Sequence, residues 1–427
     1  MSQKPSAAPS TTDPATSASG ARDITQPIGA GVITALVGFT SSFAVVLTGL
    51  RAVGATPAQA ASGLLALCLT QAVGMMVLSY RYRMPITLAW STPGAALLAG
   101  TGVVAGGWGA AVGAFMATGV LIVATGLSRR LADLVAAIPV EIAQAMLAGV
   151  LISLCLAPVR AVQTSPAVVV PVIAVWLIMR RVAARWAVLA AFGAAAIGVG
   201  VGIVAGHKHL DLAAMAPSVE PTVPQWSWQA MISIAVPLYV VTMASQNIPG
   251  TAVLRSFGYR VPWRAAMTVT GLGTIAGAPA GGHAINLAAI SAALSAAPSA
   301  HPDPRRRWIA GVTAGASYLL LGLGSAALVT VIAVAPAGTL ETVAGLALLP
   351  TLAAALAAAL ASEQDREAGV VTFLVAASGI AFLGIGSAFW AVIAGLVVRQ
   401  ALRTRTAQSE TAEPTETTEP VTNDSAG

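Results

Sequence analysis

Apolar runs of bilayer-crossing length, with almost no charge inside them, fix what this chain can become. They fall at 28–50, 57–79, 85–103, 106–127, 134–157, 166–184, 186–206, 229–252, 263–278, 281–297, 307–333, 339–361, 367–383 and 385–402, fourteen in all. A helix needs about 20 apolar residues to cross the hydrocarbon layer, and each run is near that length. Charged residues make up 9% of the 427, against roughly 25% in a soluble domain. Most of the chain must therefore be solvated by lipid.

The basic residues test the count, because segments on the cytoplasmic side collect Lys and Arg. Starting from an inside N-terminus, all 22 basic residues except Arg51, Arg160 and Lys208 fall inside. Removing one span from the middle would scramble that alternation. Both termini are expected to be cytoplasmic, in a multi-pass protein of the cell's inner (plasma) membrane. The net charge of +6 follows from the same bias, and without a basic patch interleaved with aromatics it excludes nucleic acid as a partner. Residues 1–26 and 404–427, rich in Ser, Thr, Pro and, at the C-terminal end, Glu, cannot bury surface and are expected to be disordered.

The loop at 207–228 divides seven spans (27–206) from seven (229–403). An odd number inserts the second half upside down, the inverted-repeat plan of many secondary transporters. The fold class is thus an all-α membrane protein in a 7+7 inverted repeat. Span 3, in "MPITLAWSTPGAALLAG", and span 10, in "GAPAGGHAINLAAI", each read as a short strand followed by a half-helix. In span 3 the stretch Ile86–Trp90 is β-prone, Ser91 or Thr92 can cap, and Pro93 suits a first helical turn. In span 10, Pro279, Gly281 and Gly282 discourage helix, which is expected to start near His283 or Ala284. Non-helical backbone at that depth survives only where protein or a polar cavity covers it.

Few residues can do chemistry. Of the 16 acids only Glu141 is placed inside a span, about 10 Å from its cytoplasmic end at 1.5 Å per residue. A carboxylate cation site or a two-acid catalytic pair is hard to build. His283 is the only histidine within a span, and an intramembrane ionisable group is a functional candidate by default. Gln246 and Asn247 in "VTMASQNIPGTAVL", Ser42 and Phe43 in "GFTSSFAVV", and Asn286 can offer hydrogen bonds or an aromatic face, or can simply hold helices together. Cys68 and Cys155 lack metal-ligand or redox spacing. No Walker motif occurs, and repeated glycines such as Gly109 and Gly113 read as close helix packing. No cofactor or metal is expected, and no enzyme: the buried histidine has no partner set of nucleophile and acid.

"PITLAWSTPGAALL", "ASQNIPG" and "GGHAINLAAI", with the span pattern around them, resemble the BenE family of benzoate/proton symporters, from about Ile24 to Arg403. More distantly that family is similar to nucleobase–ascorbate and sulfate permease transporters. The resemblance implies a core domain from spans 1–4 and 8–11, a gate domain from spans 5–7 and 12–14, and substrate bound between them near the half-helices of spans 3 and 10. By position, Gln246 and His283 stand where nucleobase transporters commonly place carboxylates, a departure that suits an anionic substrate.

The expected function is import of benzoate or a related aromatic carboxylate together with a proton. Ser91, Thr92, His283 and Ala284 would face the carboxylate at the half-helix N-termini, where backbone dipoles favour anions. Gln246, Asn247, Ser42 and Asn286 would add polar contacts, and Phe43 would hold the ring. His283, with Glu141 as a second candidate, would carry the proton. A nucleobase or inorganic-anion transporter of the same fold, and an anion channel, are the alternatives. The oligomeric state stays open, with a homodimer as one arrangement.

Overall fold

The computed structural model describes residues 15–205, 213–383 and 385–411. Fourteen segments follow one another. Spans 1 and 2 are Ile24–Ala52 and Pro57–Tyr82, and span 3 is a strand, Leu88–Trp90 (β1), with a helix, Thr92–Thr101. Spans 4 to 7 are Gly107–Leu127, Val140–Thr164, Pro166–Val182 and Ala187–Ala205. Spans 8 and 9 are Trp228–Ser256 and Trp263–Gly277. Span 10 is a single 3-10 turn, Ala278–Ala280, a strand, Ile285–Leu287 (β2), and a helix, Ile290–Ala296. Span 11 is the pair Trp308–Leu323 and Ser325–Ala333, and spans 12 to 14 are Thr339–Ala359, Arg366–Ala377 and Ser387–Thr411.

Local chemistry starts and stops these helices. Thr56 and Gln59 close a reciprocal capping box ahead of Pro57, which satisfies two otherwise orphaned amides. The same helix ends at Arg83 in the left-handed conformation, φ 53°. In span 1 the hydroxyls of Thr40, Ser41 and Ser42 turn back onto the carbonyls of Leu36 and Gly38. Such back-bonding bends helices, and here a turn interrupts the span at Ser41 and Ser42.

The inverted repeat is visible in which helices touch. Span 2 packs along span 11 and span 4 along span 9. Exchanging each span for its counterpart in the other half (2 for 9, 11 for 4) converts one contact into the other. Span 5 packs along span 12, its own counterpart, and β1 pairs antiparallel with β2. Spans 1–4 and 8–11 thus cluster as a core, and spans 5, 12, 13 and 14 as a gate with spans 6 and 7 against them.

Three expectations change. Arg129–Ala136 is a separate short helix and span 5 begins only at Val140. Glu141 therefore sits in the first turn at the membrane edge, half-buried, and not about 10 Å in. Gly113 does pack closely, but its neighbour is the backbone of Gln225 in the linker between the halves. Gln225 donates its N–H to the Gly109 carbonyl, and Thr222 donates to the Pro279 carbonyl, so this part of the linker lies as a strap across the core. Finally, the first helix starts at Ala15 and the last runs to Thr411, inside the tails expected to be disordered; 1–14, 412–427 and 206–212 of the linker lie outside the described residues.

Candidate functional site

Two three-residue strands at mid-membrane expose backbone that lipid cannot satisfy, so their pairing is obligatory. Leu88, Ala89 and Trp90 lie opposite Leu287, Asn286 and Ile285. The Ser91 N–H extends the ladder to the Ala284 carbonyl (2.9 Å), and the Ala288 N–H extends it to the Thr87 carbonyl (3.0 Å). The remaining strand edges are met by side chains. Asn247 Oδ1 accepts from the Leu287 N–H (2.9 Å), Thr274 Oγ1 accepts from the Ile285 N–H (3.0 Å), and Ser79 Oγ donates to the Ile86 carbonyl (2.9 Å). Ser79 and Thr274 stand on spans 2 and 9, which are equivalent in the repeat.

The helix of span 3 starts as expected. Ser91 Oγ accepts from the Gly94 N–H (3.1 Å) and from the Thr242 hydroxyl (2.8 Å). Pro93 carries no N–H, which leaves the Thr92 N–H as the uncommitted donor of that first turn. Span 10 differs from expectation: its helix begins at Ile290, not near His283 or Ala284. Gly281 takes a left-handed turn, φ 91°, and the next residues are drawn into the strand by β1. Ala289 and Ile290, not His283 and Ala284, take the cap and first helical positions that Ser91 and Thr92 hold in span 3.

A cavity of about 140 Å³ lies beside the crossing. Span 1 contributes Val37, Gly38, Ser41 and Ser42; span 3 contributes Ala89, Trp90, Thr92 and Pro93; span 8 contributes Gln246. Span 10 adds Ala288, Ala289 and Ser291, and span 12 of the gate closes it with Ala347, Leu348 and Thr351. No charged residue is in the lining. The side chains of Thr92, Gln246, Ser291 and Thr351 have no internal hydrogen-bond partner among the described residues, so donors and acceptors converge on the space uncommitted. Trp90 forms an aromatic wall, held by its Nε1–H donating to Ser42 Oγ (2.8 Å) and by edge contacts with Phe39 and Tyr318.

The structure divides the sequence candidates. Ser42, Thr92 and Gln246 line the cavity, and Ser91 caps the helix behind it. Asn286 is buried on the strand face shared with Ala89, by register and the two-residue period of a strand, and its Oδ1 has no partner. Asn247 is spent internally on Leu287 and Met243, and Ala284 on Ser91. Phe43 is buried outside the cavity, stacked on Phe39 at 5.5 Å and set edge-on to Phe192 at 4.9 Å, and lines a separate apolar cleft. His283 is fully buried edge-on to Phe115 (6.3 Å). Its ring nitrogens make no well-formed hydrogen bond, only an approach to the backbone of Ala284. His283 is not among the residues that line the cavity.

Sequence reasoning did not single out Trp90, Ala288, Ala289, Ser291 or the three gate residues as site residues. "INLAAIS" carried a weak signal, since its β-prone triplet is followed directly by the small residues Ala288 and Ala289, as "LAW" is by Ser91. Gln246 reaches the cavity from a π-helical segment, Met243–Asn247, a local widening common at functional sites.

The benzoate membrane transport protein family model, BenE, matches residues 23–401. The chain belongs to the BenE family. An inner membrane protein of Escherichia coli K12, YdcO, is 40% identical over 368 residues, covering 86% of this chain and 93% of that protein. The benzoate membrane transport protein of Acinetobacter baylyi is 30% identical over 371 residues, with the same coverage. Among solved structures, the transmembrane domain of the cyanobacterial bicarbonate transporter BicA aligns with a TM-score of 0.57 at 14% identity, covering 90% of this chain and 98% of that one. SLC26A9 aligns with a TM-score of 0.61 at 14% identity, covering 92% and 68%. At that identity the likeness concerns the fold, which is the 7+7 transporter fold. This BenE chain is therefore a membrane transporter of that architecture.

Proposed function

We infer that this BenE protein imports benzoate or a related aromatic monocarboxylate with a proton, by alternating movement of core against gate, with both termini in the cytoplasm. The cavity carries the inference: uncharged donors meet an aromatic wall in a space of about 140 Å³, and a cavity of ~150 Å³ holds one benzene ring. Thr92, through its N–H and hydroxyl, together with Gln246 and Ser291, supports a carboxylate. Trp90 and the apolar Leu348 support the ring. The absence of acids from the lining favours an anion over a nucleobase, which would use an acceptor. The family's name and the relative from Acinetobacter point to the same substrate class.

His283 is proposed as the proton carrier. A buried imidazole without a committed partner can take a proton when the core rearranges, and among the described residues no Asp, Glu, Lys or Arg lies in either strand or in the cavity lining. The test is uptake of radiolabelled benzoate into proteoliposomes with an imposed pH gradient, in competition with uracil and bicarbonate. Acid-outside uptake, blocked by benzoate analogues and not by uracil or bicarbonate, is expected. His283→Ala should abolish the response to the gradient while counterflow exchange persists. Uptake of uracil or bicarbonate in preference to benzoate would overturn the substrate assignment, and native gradient dependence in His283→Ala would overturn the proton assignment.

A further inference from the structure

We propose that an open groove between spans 2 and 9, where span 2 ends and span 9 begins, holds the headgroup of an anionic phospholipid. The groove has a volume of about 550 Å³ and is lined by Tyr82 at the end of span 2 and by Pro262, Trp263, Arg264 and Thr268 at the start of span 9. Arg264 is exposed, and the guanidinium of the equally exposed Arg81 lies 5.5 Å from the centre of the Tyr82 ring. Two arginines beside a Trp and a Tyr are the chemistry of a membrane's charged interface, where the rings sit at headgroup depth and the cations meet phosphate.

These arginines have no internal counter-charge. No Asp or Glu occurs between Asp23 and Asp133 or between Glu220 and Asp303, so spans 1–4 and 8–10 carry no carboxylate at all. Neither Arg81 nor Arg264 has an ion-pair partner among the described residues. The gate handles its cations differently: Asp365 pairs with Arg399 and Arg403, both at 3.0 Å. The unneutralised cations of the core are thus complementary to an anionic leaflet. Beyond the groove, Val73 and Val77 on span 2 and Leu272 on span 9 are each about half exposed, at 53%, 50% and 53%. They continue it as an apolar strip along which acyl chains can lie. Spans 2 and 9 are too closely packed there, through Gly74 against Val269 and Gly273 against Thr70, for a chain to pass between them.

The site is tested on the full chain in detergent by native mass spectrometry with phosphatidylglycerol or phosphatidylcholine of identical acyl chains. A one-lipid adduct favouring phosphatidylglycerol by about tenfold or more is expected from two interfacial cations. That preference should fall to parity in Arg81→Gln/Arg264→Gln, and should survive in Arg81→Lys/Arg264→Lys and in Arg51→Gln on the opposite face. Equal retention of the two lipids by the native protein overturns the proposal without any variant. So does an undiminished preference in the double Gln protein, or release of the adduct by inorganic phosphate alone, which would mark a site for soluble anions.

Discussion

Gln246 and Asn247 are neighbours with opposite duties, and they separate binding from folding. Gln246 faces the cavity uncommitted, and a hydrogen bond to a charged group contributes about 1.5–3 kcal/mol. Gln246→Ala should therefore lower benzoate kcat/KM by about 10- to 100-fold with little change in thermal stability. Gln246→Glu should lower it further, because a carboxylate there repels the substrate. Asn247→Ala instead strands the buried Leu287 N–H, at a cost of about 1–3 kcal/mol, and a fluorescence melt in detergent should show it as a lowered Tm. At Asp365 burial opposes ionisation, but the hydrogen bonds and charges of Arg399 and Arg403 outweigh it and hold the carboxyl below the usual carboxylate range. A depressed folded-state pKa contributes stability above the unfolded value of about 4 and loses it as pH falls through the folded one. The destabilisation caused by Asp365→Asn should be full at pH 7 and shrink toward zero as the native carboxyl protonates in acid. A Tm difference unchanged by acid would refute the clamp.

At the scale of elements, span 3 was legible and span 10 only partly, for a physical reason. Everything that starts the span 3 helix is local: Ser91 caps Gly94 three residues on, and Pro93 presets the turn. The span 10 helix starts where pairing with β1 ends, about 200 residues away in sequence, and local propensity carries no record of that partner. The π segment holding Gln246 escaped notice likewise, because widening a helix by one residue leaves no compositional trace. The fourteen spans themselves were legible because hydropathy and arginine placement are direct statements about lipid and leaflet. The linker makes an element-scale prediction. Trp108 donates to Thr222, Ser62 accepts from the Glu220 N–H and donates to the Ala280 carbonyl, so the strap is fastened to the break in span 10. A Cβ on Gly113 would collide with the Gln225 carbonyl. Gly113→Val should speed hydrogen exchange at the Thr222 and Gln225 amides relative to those of span 5, and unchanged protection would show that the strap does not depend on this contact.

At the scale of the molecule, the cavity is bounded on one side by core residues and on the other by Ala347, Leu348 and Thr351 of span 12. A substrate held there touches both bodies at once, so releasing it to either side requires them to move relative to each other. Both native cysteines are buried and can be replaced by Ala or Ser to give a background free of thiols. In that background Ser291→Cys with Thr351→Cys places one thiol on each body across the cavity, and a short bifunctional thiol reagent should stop uptake. Each single variant treated with the same reagent should lose much less. A second pair joining spans 5 and 12, both in the gate, should leave uptake largely intact when crosslinked, because those helices travel together. Full activity with core joined to gate would mean that access alternates without relative movement of the two bodies, and the transport cycle inferred from this fold would have to be abandoned.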